Sequence, residues 1–202
     1  MWNNHKLLFL FCVLFFQCKK EREVMVGIKK QNITADALKL KTVEVDTFKV
    51  TNGYDFPVGK PDAKQYYNAQ GFQENYHLGD DWNGVGGGNT DLGDPIYAIA
   101  NGYVSFAEDI KGGWGNVIRI VHYNPDQSKI ESVYAHCQSI SVVKGQYITK
   151  GTVIGAIGTA DGTYLAHLHL EVRDALNMPI GLGYSSDTEG YLDPTNYINN
   201  NR

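Results

Sequence analysis

Three short stretches hold most of the residues that could do chemistry. Residues 165–173 read LAHLHLEVR, residues 131–137 read ESVYAHC and residues 77–82 read HLGDDW. In an extended strand, alternate side chains share a face. Over the first stretch, Ala166, Leu168, Leu170 and Val172 would face a core, and His167, His169 and Glu171 would stand together opposite them. The two imidazoles would then sit roughly 7 Å apart at their bases. One could bind a metal while its neighbour reaches a ligand on that metal. A solvated polar face carrying two His by chance is the plain alternative. His is uncommon, however, and the opposing face is cleanly apolar.

The same alternation over residues 131–137 puts Val133, Ala135 and Cys137 on one face and Ser132, Tyr134 and His136 on the other. Alone, His136 would be ordinary surface. Cys137 reads as a buried thiol, since soft thiolate sites usually come with more than one Cys. In HLGDDW a regular strand would leave His77 and Asp81 on one face but about 13 Å apart. A bend must bring them together, and Gly79 is where a bend is cheapest. The following GVGGG (residues 84–88) suggests irregular backbone beside it. Taken together, His77, Asp81 and His169 form a two-His, one-carboxylate set, with His136 and His167 to spare. Three protein ligands and an open position are the pattern of a catalytic zinc; a structural zinc is closed by four. Such a zinc would bring its water toward a pKa of about 7. The spare imidazoles could orient or deprotonate that water and stabilise an oxyanion.

The elements that must position these residues are short strands. With 202 residues, 43% hydrophobic and 20% charged, the chain can bury the core of one domain plus an appendage. Its net charge of −4 offers no basic field to a nucleic acid, which excludes nucleic acid as the expected partner. Three Cys are too few for a disulfide scaffold. Residues 96–106 contain two β-like runs around Asn101-Gly102, a favoured hairpin turn. Residues 116–123 and 131–137 form a second pair, and glycines punctuate the apolar runs that follow. Asp193-Pro194 opens an Asn-rich tail whose last residues, 199–202, read as a frayed end. No helix-period segment of useful length appears after residue 18, so residues 54–198 read as an all-β domain.

Residues 7–16, LLFLFCVLFF, are an unbroken apolar run between His5-Lys6 and Lys19-Lys20. Ten residues of helix rise about 15 Å, half of a bilayer core of about 30 Å. A basic start with a short apolar stretch has the form of an export signal over residues 1–17. Phe15-Phe16-Gln17-Cys18 is similar to a relaxed bacterial lipoprotein signal, with Cys18 as the lipidated residue and hence a membrane anchor. Residues 18–53, which alternate in LKLKTVEVDTFKV, read as an N-terminal extension or stalk.

His77-x-Gly79-x-Asp81, then Tyr134-Ala135-His136, then His167-Leu168-His169 resemble the three signatures of the lysostaphin-type, LytM-like zinc metallopeptidases. The linking text GDPIYAIANGYVSFAE, GGWGNVIRIVHY and VKGQYITKGTVIGAIG resembles the same family, over roughly residues 55–198. The resemblance implies a small antiparallel two-sheet LytM-like domain of the duplicated-hybrid type, with its site in a groove. It implies Zn2+ held by His77, Asp81 and His169, with His136 and His167 acting on the attacking water and the transition state. The implied activity is endopeptidase cleavage of the peptide stems or cross-links of bacterial peptidoglycan, in the cell envelope. Trp82 and Tyr134, beside the signature residues, are predicted to line the groove and bind substrate.

Other readings compete. A two-His, one-carboxylate iron oxygenase usually places its carboxylate two residues after the first His, not four, and has no use for His136 and His167. VKGQYITKGTVIGAIG also resembles lipoyl- and biotin-carrier repeats, but Lys150-Gly151 is in the wrong context for a modified hairpin tip. The serious rival is a catalytically silent or autoinhibited wall-binding regulator of other hydrolases.

Overall fold

The computed structural model describes residues 50–202. The expected export signal, Cys18 and residues 18–49 of the extension lie outside the described residues. Of the chain's two units, Met1–Thr42 and Val43–Arg202, the described residues fall in the second. Its elements are β1 Tyr66–Gln70, β2 Asp80–Gly84, β3 Pro95–Tyr97, β4 Gly102–Asp109, β5 Asn116–Tyr123, β6 Lys129–Cys137, β7 Ser139–Ile140, β8 Tyr147–Ile148, β9 Val153–Ala156, β10 Leu168–Arg173, β11 Tyr191–Leu192 and α1 Pro194–Asn200.

The Val/Ile-rich runs of β5 and β6 pair as an antiparallel hairpin, and β10 adds on the far side of β6. The large sheet runs β1-β2-β10-β6-β5-β4-β8, with β11 continuing the edge of β10 where β2 stops. A smaller sheet runs β3-β9-β7. Ile118, Ile120, Tyr134, Leu168, Leu170 and Val172 of the large sheet meet Ile96 and Ile154 of the small one in the main core. Each aliphatic side chain fully removed from water there contributes about 1.5–3 kcal/mol. The other face of the large sheet is covered too. Val117, Val133 and Ala135 pack against Phe106, Ile110, Trp114 and Ile180. The residues of β10 are therefore buried on both faces. The all-β, two-sheet domain implied by the sequence is the observed architecture.

Four local expectations are corrected. The runs around Asn101-Gly102 do not form a hairpin, because β3 pairs with β9 in the small sheet and β4 with β5 in the large one. Asn101 instead ties the connection down: its Nδ2 donates to Val50 O and its Oδ1 accepts from Lys150 N. The stretch after Asp193 is a helix. Asp193 caps it by accepting from Asn196 N at 2.8 Å, and Pro194 occupies its first turn, where no N–H is needed. Nor are residues 199–202 frayed, since Asn201 O accepts from Tyr54 N at 3.0 Å and Arg202 pairs with Asp62. Finally, residues 50–53, assigned to the extension, join the domain: Val50 bridges Tyr123 and Thr51 N donates to Tyr123 O.

Candidate active site

Strand register assembles the site. His169 of β10 lies directly opposite Asp81 of β2 on one side and Ala135 of β6 on the other. Directly opposed residues on neighbouring strands have side chains on the same face, so Asp81 and His169 meet without any loop. His77 arrives from outside the sheet. The chain turns upstream of it, through left-handed conformations at Gln73, Asn75 and Tyr76, rather than at Gly79. Gly79 serves close approach instead. A Cβ there would lie 2.4 Å from Leu170 O and 3.0 Å from His169 Cε1. Only glycine lets this segment pass β10 closely enough to deliver His77.

His136 reaches the site through a bulge. Asn116 pairs with Cys137 and Ile118 with Tyr134, so Val117 of β5 faces both Ala135 and His136 of β6. The extra residue, with His136 at φ +60°, breaks the alternation that the sequence suggests. His136 turns to the face of Val133 and Ala135, while Cys137, a free buried thiol, joins Tyr134 in the main core. Hence Tyr134 does not line the groove. It is fully buried, and its hydroxyl accepts from Ile99 N. Trp82, between the outward-facing Asp81 and Asn83, also points into the core, against Phe56. The predicted groove-lining role of both residues is corrected.

Three donor atoms converge. His77 Nε2 lies 3.0 Å from His169 Nδ1 and 3.4 Å from Asp81 Oδ1, and His169 Nδ1 lies 2.9 Å from Asp81 Oδ1. Burial pushes the Asp81 carboxyl up, but hydrogen bonds from His169 and His77 outweigh it and hold the group well below the usual carboxylate range. Burial lowers His169 in turn, yet the carboxylates of Asp81 and Glu171 raise it to about 9. His167 Nε2 is 3.8 Å from Asp81 Oδ1, and its ring centroid is 4.8 Å from that of His136. Burial, then the neighbouring His169 and His167, push His136 down to about 3. All five expected residues, His77, Asp81, His136, His167 and His169, thus line one cleft of about 480 Å³.

Several residues of this site escaped the sequence reading. Glu171, noted there only as sharing a face with His169, accepts from His169 Nε2 at 3.2 Å. A carboxylate can only accept, so Nε2 carries a proton. Nδ1 also faces a carboxylate, that of Asp81, so the ring is held protonated on both nitrogens, and a metal between Asp81 and His77 would take the place of the Nδ1 proton. Arg173, fully buried, donates Nε to Glu171 at 2.7 Å and its other nitrogens to Pro179 O and Ile180 O. The signal was available: His169, Glu171 and Arg173 fall on alternate positions of one strand. The aromatic walls carried no such signal. Trp114 packs edge-on to His169, Tyr184 against His77, and Tyr164 against His136 and His167.

Known proteins resemble this chain in sequence and in fold. Over 81 residues, 40% of this chain, it is 37% identical to DD-carboxypeptidase/endopeptidase Mpg of Neisseria meningitidis serogroup B, covering 17% of that protein. Over 81 residues it is also 37% identical to lipoprotein NlpD of Yersinia enterocolitica, covering 78% of it. The solution structure of lysostaphin is similar in fold, with a TM-score of 0.50 at 21% identity over 68% of this chain and 52% of that one. The sequence pattern of peptidase family M23 matches residues 81–180, a span that holds Asp81, His136, His167 and His169 and begins four residues after His77. By this match and by its likeness to NlpD, the chain belongs to peptidase family M23.

Proposed function

We propose that this protein is a zinc metallo-endopeptidase that cuts peptide stems or cross-links of bacterial peptidoglycan in the cell envelope. The observation that carries this reading is the convergence of His77 Nε2, Asp81 Oδ1 and His169 Nδ1 within 2.9–3.4 Å of one another, beside two further imidazoles. The donor set suits zinc: ligands on a tetrahedral ion at bonds of about 2.0–2.1 Å stand about 3.3 Å apart. Two imidazoles and one carboxylate also leave a coordination position open, as in catalytic sites. Zinc held there would supply Lewis-acid polarisation and bring the pKa of water toward about 7.

The chain's own residues do the rest. His167 Nδ1 faces Leu165 O at 2.8 Å, and a carbonyl only accepts, so Nδ1 keeps its proton and Nε2 is the free base. It takes the proton of the attacking water and later returns it to the leaving amine. His136 stays neutral in its buried setting and lines the cleft beside His167 and His169. It hydrogen-bonds the substrate oxygen on which charge develops. Trp114, Tyr164 and Tyr184 cover the bound peptide and exclude water. Among the described residues that line the cleft there is no Lys or Arg to grip a terminal carboxylate. That favours an internal peptide bond over the removal of a C-terminal residue.

Mass spectrometry of muropeptides released from insoluble peptidoglycan by the zinc-loaded protein tests the proposal, with His169→Ala beside it. New fragments from the wild type alone are expected, and their masses name the bond. Identical digests from the two, or none from either, would leave a wall-binding regulator.

A further inference from the structure

His167 lies just outside regular structure. It precedes β10, its N–H donates to Gly158 O at a long 3.3 Å, and Leu165 before it is exposed. The β2–β10 ladder ends at the Trp82–Leu168 pair, so no strand partner holds Ala166. Side chains do. Asn89 Oδ1 accepts from Ala166 N at 2.8 Å, and Asn83 Nδ2 donates to Ala166 O at 3.1 Å. Both polar groups of the residue next to His167 are therefore held by asparagines from one connected segment, β2 and the loop after it.

That loop accounts for the glycine run GVGGG. Gly87 at φ +71° and Gly88 at φ +56° need the left-handed region, which turns the chain tightly enough to present Asn89 at the tip. The turn is closed by Thr90 Oγ1 donating to Gly87 O and by Leu92 N donating to Asn89 O. Asp91 anchors it: the side chain is buried, and its Oδ2 accepts from Gly84 N at 2.8 Å. On the far side, Gly93 N donates to Ile157 O.

From this geometry we infer that Asn83 and Asn89 are positioning residues for His167, and that the glycine-rich loop at residues 84–94 exists to deliver Asn89. The inference rests on the proposed role of His167 as the base. Base catalysis needs Nε2 within hydrogen-bond reach of the proton it takes, and a misplacement of about 1 Å costs up to about 100-fold. Asn89 uses only its acceptor oxygen, so a carboxylate can replace it and a methyl group cannot.

The test compares Asn89→Ala and Asn89→Asp in the full zinc-loaded chain. Asn89 is exposed, so neither change threatens the fold. Asn89→Ala should lower kcat roughly 10- to 100-fold with KM and zinc content unchanged, and Asn89→Asp should stay within a few-fold of wild type. Amide exchange at Ala166 should quicken about fivefold or more in Asn89→Ala alone, with the His167 ring nitrogen resonances shifted in that variant. Wild-type kcat and exchange in Asn89→Ala, or equal losses in both variants, overturn the inference. Should the wild type fail to cut peptidoglycan, the proposed function falls, and Ala166 exchange with the His167 resonances still decides whether the clamp exists.

Discussion

At the scale of single residues, His169 does two things through its two nitrogens. Nδ1 faces Asp81 and His77, and Nε2 is held by Glu171, which Arg173 in turn fixes to the chain. A carboxylate behind a metal-binding imidazole sets its tautomer and raises its basicity, and losing it typically costs 10- to 100-fold in metal affinity. Glu171→Gln keeps the shape and removes the charge. Zinc affinity by competition with a chelator should fall by roughly 10- to 100-fold while the fold persists; unchanged affinity would mean that Glu171 only balances Arg173. Residue identity made His169 conspicuous in the sequence. The depth of its support was hidden, because alternation alone cannot tell a buried polar face from a wet one.

At the scale of elements, the β5–β6 hairpin was legible as two Val/Ile runs, but its bulge was not. One extra residue in β6 exchanged the faces of His136 and Cys137, which is why Tyr134 was expected in the groove and lies in the core. The same ladder holds His122, the one imidazole among the described residues that no signature uses. It is fully buried, with Nδ1 on Asn101 O and Nε2 on Ser132 Oγ. Burial lowers its pKa from 6.5 to about 4. The unfolded chain therefore binds a proton that the folded one refuses. Stability is full above the unfolded value and is lost as pH falls from 6.5 to about 4. The loss amounts to about 3 kcal/mol. Urea denaturation at both pH values should show this decline in wild type and a shallower one in His122→Gln. Parallel declines would assign the acid sensitivity to other groups.

At the scale of the whole molecule, the cleft is a seam where separate parts of the chain meet. His77, β2, β6, β10 and the residue just before β10 each bring one member of the five-residue set, and the aromatic walls come from the segments around residues 114, 164 and 184. A metal that binds only this assembled state stabilises the entire domain. At free zinc about 1,000 times the dissociation constant, the gain is about 4 kcal/mol, or a rise in Tm of about 10 °C for a chain of this size. Differential scanning calorimetry with and without zinc should show that rise in the wild type and none in His169→Ala. A zinc-independent Tm in the wild type would remove the metal site.

The sequence by itself determined the strand-rich class, the five residues of the candidate site and their family likeness, because strand periodicity and metal-ligand chemistry are local properties of residue type. Tertiary structure alone decided which neighbours serve as core and which as wall, that Asn101-Gly102 divides two sheets, and that the C-terminal residues fold into a docked helix. Those outcomes depend on pairing between segments far apart in the chain. A single bulge or a change of partner sheet reverses which face is buried, and residue order does not record it.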